Sequence, residues 1–368
     1  MIKVPFNDIF LQIEDDFSEY MQDIERCIRD SAFIGGKPVK DFEESFASTI
    51  KAKYSISCGN GTDSLLIAMK ALDLKPGDEV IVPAVSWIST SETVTAAGGT
   101  VVFCDIESNS YTIDTLKLES LVTDKTVGII PVHLYGHPAN LDPINKIAKK
   151  YDLWVIEDCA QAHLALYKDK PVGTFGEFGS FSFFPGKNLG AFGDAGAVVT
   201  DNKMLRDKFT RLARHGGLFK GEHLVEGYNS RLDTMQAIIL SRKLSSLAKV
   251  TSKRRHLASI YLNELKNIEG LVLPDVSLNV KHAWHLFVVR VKNRSDFLDF
   301  LNSERISTGI HYPVSLPFLP AYKYKGHEAK DFPIANEIQS QIVSLPLFPA
   351  MSNAQTDHVL SSIKKYFN

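Results

Sequence analysis

The sequence predicts an α/β fold with a mostly parallel central sheet and a smaller C-terminal α+β domain. Two observations predict it. From about Tyr54, short β-rich runs alternate with helix-like stretches through the first half of the chain. The chain is 368 residues long and 44% hydrophobic, enough for two linked lobes with a large core. Ligands in such sheets bind beyond the carboxyl ends of the strands, so polar residues just after a strand carry extra weight.

Before the alternation, Ile13, Phe17, Met21, Ile24 and Ile28 recur at helical spacing and predict an amphipathic first helix. Strands are expected at 54–58, 79–82, 100–104, 127–131 and 153–156. Helices are expected between them at 63–72, 90–97, 114–121 and 143–150. Strands at 181–184 and 195–200 follow, then a long helical pattern over about 232–266, with room for a break. It bridges to a strand at 285–291, a helix at 295–303 and a closing helix at 354–366. The Pro-rich stretch 312–349 reads mostly as loop.

Lys plus Arg number 41 against 43 for Asp plus Glu, which leaves no electrostatic footprint for nucleic acid. Cys27, Cys58, Cys104 and Cys159 form no C-x-x-C pair, so neither a metal site nor a disulfide framework is expected. No apolar run approaches membrane-spanning length, and the first residues lack a basic segment followed by an apolar one. The expectation is a cytoplasmic protein.

Four segments carry chemistry. In Ser182-Phe-Phe-Pro-Gly-Lys187-Asn-Leu-Gly190, a lysine follows a strand amid aromatics, Pro and Gly. Burial there lowers an ammonium pKa and makes an amine nucleophile available, although a plain loop lysine fits as well. In Val155-Ile-Glu-Asp158-Cys-Ala-Gln161-Ala-His163, Asp158 ends a hydrophobic strand. It suits the anion that keeps a cofactor's pyridine nitrogen protonated, or a helix N-cap. Gln161 is placed to hydrogen-bond the cofactor's ring oxygen, while His163 fits a packed, satisfied histidine equally well.

Cys58-Gly-Asn-Gly61-Thr62-Asp63 joins a strand to an apolar helix, and free N–H groups with the helix dipole favour phosphate at such a start. Gly61, Thr62 and Ser182 are the candidate phosphate ligands, and the alternative is a simple helix cap. Trp87 follows another strand and suits stacking on a flat ring or packing in the core. Phosphate cradle, stacking aromatic, pyridine acid and lysine, in that order after successive strands, are the parts of one pyridoxal 5′-phosphate (PLP) site.

At these residues the chain resembles the DegT/DnrJ/EryC1/StrS family of sugar aminotransferases. The resemblance runs from about Phe6 to about Pro349. It rests on Phe33-Ile-Gly35-Gly36, Asn60-Gly-Thr-Asp63, Pro131-Val-His-Leu-Tyr-Gly136, Glu157 to His163 and Ser182 to Gly190. Gly193-Asp-Ala-Gly196, Arg214-His-Gly216, Asn229-Ser-Arg231-Leu-Asp233 and His311-Tyr-Pro313 extend it. It implies the PLP-dependent transferase fold type I, like aspartate aminotransferase. A large PLP-binding domain over 1–245 would include an N-terminal arm, with a small domain over 246–368.

By the resemblance, Lys187 carries PLP as a Schiff base, Asp158 pairs with the pyridine nitrogen and Gln161 with the ring oxygen. Trp87 stacks on the ring, and Thr62 and Ser182 hold the phosphate. The resemblance also implies a homodimer with shared active sites, in which Asn229 reaches the phosphate of the partner subunit. His163, Arg231, His311 and Gly35 fall near the sugar nucleotide. Some relatives carry histidine in place of the lysine and are dehydratases; Lys187 favours transamination. Leu164 departs from the glycine usual after this histidine.

The expected reaction moves an amino group from L-glutamate to a keto group of a nucleotide-linked deoxysugar, at C3 rather than C4. It would serve O-antigen or other surface-polysaccharide synthesis. Alternative acceptors are a keto-cyclitol or an aminobenzoate-type ring. A further alternative is a regulator that binds PLP or a nucleotide sugar without turnover.

Overall fold

The computed structural model describes residues 2–368. Met1, the first residue of the expected large domain, lies outside the described residues. Seven strands form the central sheet: β1 (Tyr54–Cys58), β2 (Glu79–Pro83), β3 (Thr100–Cys104), β4 (Thr126–Ile129), β5 (Trp154–Asp158), β6 (Phe178–Ser182) and β7 (Gly196–Thr200). Their order is β1-β7-β6-β5-β4-β2-β3. β7 pairs antiparallel with β1 and β6, and every other pairing is parallel.

Strand residues alternate between two cores. Val80, Val82, Val101, Phe103 and Ile156 enter one hydrophobic cluster, while Ile81, Cys104, Val155 and Phe181 enter the other. Successive side chains of a strand point to opposite faces, so both faces of this sheet are covered. Helix α1 (Phe17–Arg29) packs on the helix that starts at Thr234, and the covering helices include α2 (Gly36–Ile50), α3 (Gly61–Ala71), α4 (Ser89–Ala96), α5 (Leu141–Tyr151) and α6 (Lys203–Ala213). Asn60 caps α3 by accepting from the Asp63 N–H at 2.8 Å.

A 32-residue helix, α7 (Thr234–Leu265), runs unbroken from the sheet region into a third cluster. At 1.5 Å per residue it spans about 48 Å. The third cluster packs the end of α7 against β8 (Leu271–Val272), β9 (Phe287–Val291), β10 (Ile342–Leu345), α8 (Arg294–Ser303) and α9 (Asn353–Phe367). The expected domain boundary at 245/246 falls within α7. Among the described residues, no helix is long and apolar enough to cross a membrane.

Three expectations need correction. The segment 312–349 holds a short helix, Pro333–Ile338, and the strand β10, which pairs with β9 from Phe287↔Leu345 to Arg290↔Ile342. Its prolines flank a four-residue buried run that sheet pairing stabilises. The break allowed in the long helix is absent. Helices α2 and α6 were not expected, although Asn202 caps α6 by accepting from the Met204 and Leu205 N–H groups and Val39, Phe42, Phe46 and Ile50 of α2 recur at helical spacing.

Candidate active site

The carboxyl ends of β2, β5 and β6 and the start of α3 open on one cavity of about 610 Å³. That is within the usual range for a small-molecule site. Gly61, Thr62, Trp87, Asp158, Gln161, Ser182 and Lys187 all line it. The geometry therefore brings together the seven residues that sequence reasoning proposed for the cofactor within one chain.

Asp158 is the last residue of β5 and is 6% exposed. Its Oδ2 accepts from Thr90 Oγ1 at 2.8 Å and its Oδ1 from the Ala160 N–H at 3.1 Å. Ser86 and Thr90 hydroxyls are 2.8 Å apart, extending the network to the segment after β2. Glu157, one residue earlier, points to the opposite face. It accepts from the N–H groups of Gly173, Phe175 and Gly176 at 2.7, 2.6 and 3.0 Å and contacts His133 Nε2 at 3.0 Å. One acid of the pair holds a loop and the other faces the cavity, as the strand's two-residue period requires.

Lys187 sits five residues past β6, partly buried. Burial lowers its ammonium pKa to about 8, partly offset by the charge of Asp158. Gly61 lies against Ser182: a Cβ on Gly61 would meet Ser182 Cβ at 2.6 Å and its backbone Cα at 3.1 Å. Only a residue without a side chain allows this approach. The first-turn N–H groups of α3 have no partner within the helix, so a pocket for an anion forms there. Thr62 Oγ1 lies 2.7 Å from Ser89 Oγ.

Trp87 is 58% exposed and its ring lies 5.5 Å from that of Tyr312, tilted by 47°. It is a cavity wall, not a core residue. Gln161 accepts from the Tyr135 N–H at 2.6 Å and donates to Tyr312 Oη at 2.9 Å. Those bonds orient its amide. His311 lines a second, smaller cavity that also reaches Lys187. Its Nδ1 lies 2.8 Å from Ser344 Oγ, and burial first, then Lys187, lower its pKa to about 4.

Other proposed residues stand elsewhere. His163 is fully buried, with its ring 5.5 Å from Phe181 and 5.7 Å from Phe183. Neither ring nitrogen has a hydrogen-bond partner, and burial, then Lys187, push its pKa down to about 3. The structure does not bring it to either cavity. The next residue, Leu164, has φ of 60°, the left-handed region that favours the glycine it replaces. Asn229 and Arg231 are exposed and, with Gly35, line neither cavity of this chain.

Sequence reasoning missed Thr90, Ser86 and Tyr312. The first two follow β2 beside Trp87, so the rule that favours positions after a strand could have found them. Tyr312 arrives from distant sequence, and its packing over Gln161 has no local signal.

The residues fit PLP. A glycine-made cradle at a helix start suits its phosphate, a buried carboxylate suits its ring nitrogen, and an amine of lowered pKa suits its aldehyde. Fold and site together define a PLP-dependent aminotransferase of fold type I. The model of the DegT/DnrJ/EryC1/StrS aminotransferase family matches residues 14–364. The chain belongs to that family, and its cofactor is PLP.

A dTDP-3-amino-3,6-dideoxy-alpha-D-galactopyranose transaminase from Aneurinibacillus thermoaerophilus is 43% identical over 367 residues, 99% of each chain. Among solved structures, S. venezuelae DesV in complex with a ketimine intermediate superposes with a TM-score of 0.97 at 35% identity, covering 100% of this chain and 99% of that one. NtdA from Bacillus subtilis with bound pyridoxamine phosphate superposes at 0.91 with 31% identity, covering 100% and 86%.

Proposed function

We propose that this enzyme moves an amino group from L-glutamate to the C3 keto group of a nucleotide-diphosphate-linked deoxysugar. The observation that carries the reading is Lys187 and Asp158 facing one cavity beside the Gly61–Ser182 cradle. The Aneurinibacillus relative acts on a 3-amino sugar, and its identity over nearly the whole chain favours C3 over C4. The product would serve surface-polysaccharide synthesis in the cytoplasm.

PLP, when bound, supplies an aldehyde for amines and a ring that accepts electrons from a substrate carbon. Lys187 would hold it covalently, Asp158 would pair with the ring nitrogen, and Gln161 would donate to the ring oxygen. Thr62, Ser182 and the N–H of Gly61 would hold the phosphate, and Trp87 would cover the ring. The free Lys187 Nζ would take the proton from the donor's α-carbon as a base and then, as an acid, deliver it to the cofactor's side and not back to that carbon. Its lowered pKa keeps a usable fraction unprotonated near neutral pH. Asp158 stays fixed by Thr90 and Ala160 throughout.

A homodimer with shared sites completes this reading. Asn229 and Arg231, exposed on this chain, would reach the partner subunit's cavity and meet phosphate and sugar nucleotide. Exposed Phe10, Phe17, Met21, Phe33 and Ile34 supply apolar surface for the contact. His311 and Gly35 would lie near the nucleotide, and 1–245 and 246–368 would form the large and small domains.

A turnover screen tests the reading. Purified enzyme with PLP and L-glutamate would be given 3-keto and 4-keto deoxysugars linked to dTDP, UDP and GDP, with 2-oxoglutarate release measured. Release with a 3-keto sugar nucleotide is expected; release with none of the panel would overturn it.

A further inference from the structure

Lys187 rides on a short turn that backbone hydrogen bonds close at its base. Its own N–H donates to the Phe184 carbonyl at 2.8 Å, and the Ala191 N–H donates to the Phe183 carbonyl at 2.8 Å. Gly190 lets the turn close tightly: a Cβ there would meet the Pro185 carbonyl oxygen at 2.3 Å. One residue past the lysine, Asn188 Nδ2 donates to the Ala283 carbonyl at 3.1 Å, and its Oδ1 lies 3.2 Å from His285 Nδ1.

The exit of the turn, Gly190 to Phe192, is held by two side chains of α7. Gln236 Oε1 accepts from the Phe192 N–H at 2.8 Å, and Lys243 Nζ donates to the Gly190 carbonyl at 2.8 Å. Residues seven apart share one face of a helix, so both reach the same segment. Among the described residues, no other hydrogen bond reaches the Gly190 carbonyl. Lys243 Nζ also lies over the Phe192 ring, 4.6 Å from its centroid.

The chemistry of Lys243 sets it apart from the other anchors. It is partly buried, and burial lowers its pKa to about 8 with no charge of the chain offsetting the shift. Most of these ammonium groups are still charged at pH 7. An ammonium drawn out of water without an acid beside it is costly, and methionine would fill the same space without that cost. The position therefore keeps a charge that packing does not call for. That charge meets one carbonyl, three residues from Lys187.

We propose that Lys243 is a positioning residue for Lys187: through the Gly190 carbonyl its ammonium fixes the turn, so that the Lys187 amine is aimed at the PLP aldehyde. The inference rests on the assignment of Lys187 made above and adds what holds that lysine in place. Capture joins the Lys187 nitrogen to the aldehyde carbon and releases one water. Lys243 lines neither cavity, so it acts on this step only through the turn. A hydrogen bond from a charged donor is stronger than the neutral contacts at Asn188 and Phe192, so its loss loosens the turn most.

Borohydride trapping of apo-enzyme mixed with PLP reads the rate of capture by Lys187. Lys243→Met should slow it about tenfold, the scale of one hydrogen bond made by a charged group. Equilibrium binding of PLP to Lys187→Ala reads every contact except capture. Lys187→Ala/Lys243→Met should bind PLP within twofold of Lys187→Ala, because Lys243 touches neither the phosphate cradle nor Asp158. Capture by Lys243→Met within twofold of wild type would overturn the proposal. A matching loss of affinity in the Lys187→Ala background would overturn it too, since Lys243 would then support the whole cavity.

Should Lys243→Met not fold, Lys243→Gln, uncharged and one atom shorter, carries the same two measurements with the same outcomes. Failure of the Lys187 assignment looks different: the wild-type enzyme would then give no adduct on Lys187, whatever stands at position 243.

Discussion

Thr90 donates its hydroxyl proton to Asp158 Oδ2 at 2.8 Å, tying the acid at the end of β5 to the helix that follows β2. The bond fixes the carboxylate on the cavity side of the strand. A hydrogen bond to a charged group contributes roughly 1.5–3 kcal/mol. Thr90→Val should therefore weaken PLP binding by about tenfold or more. Equilibrium titration of apo-enzyme with PLP checks it, and unchanged affinity would show that Asp158 needs no anchor.

The lowered pKa of Lys187 fixes a pH dependence. In apo-enzyme the amine is protonated below about pH 8 and free above it. The rate of PLP capture, trapped by borohydride, should rise through that pH, not near the value of a solvated lysine. Because the folded pKa lies below the unfolded one, the unfolded chain binds more protons between the two values, and apo-enzyme stability should rise with pH there. Asp158 raises the pKa, so Asp158→Asn should move the capture profile to lower pH. A profile unmoved by that change would contradict the coupling.

Gly61→Ala tests the cradle. Its added Cβ would sit 2.6 Å from Ser182 Cβ, so β6 and the start of α3 must separate. Overpacking of this kind costs about 1–3 kcal/mol. PLP affinity should fall at least tenfold, with the larger loss in inorganic phosphate competition. Wild-type affinity in this variant would remove the phosphate from this position.

His163→Leu, close to the imidazole in volume, separates packing from substrate contact. The imidazole carries two unpartnered nitrogens among Phe181 and Phe183. Removing unsatisfied buried polar atoms is neutral or stabilising when the volume is kept. Melting temperature should hold or rise, and the KM for the sugar nucleotide should not change. A severalfold rise in that KM would return His163 to the substrate.

Much of the fold was legible because strands such as Val80-Ile-Val82 carry unbroken apolar runs, which read as strands buried on both faces. Helix α2 was not, although Val39, Phe42, Phe46 and Ile50 share one face: it has no side-chain cap, and its packing on β1 and α7 sets its place. The same division holds in the site. Asp158 stood out as a charge ending an apolar strand, and Lys187 as a charge among aromatics, Pro and Gly shortly after one. Thr90 did not, because hydroxyls are common after strands and its partner lies 68 residues away. His163, for which the sequence left packing and function equally open, lies among Phe181 and Phe183.

The most direct measurement is borohydride reduction of the PLP-loaded enzyme followed by peptide mapping. The account predicts a phosphopyridoxyl group on Lys187, and none in Lys187→Ala, which should still bind PLP while losing transamination. A colourless protein with no adduct, or an adduct on another lysine, would contradict it.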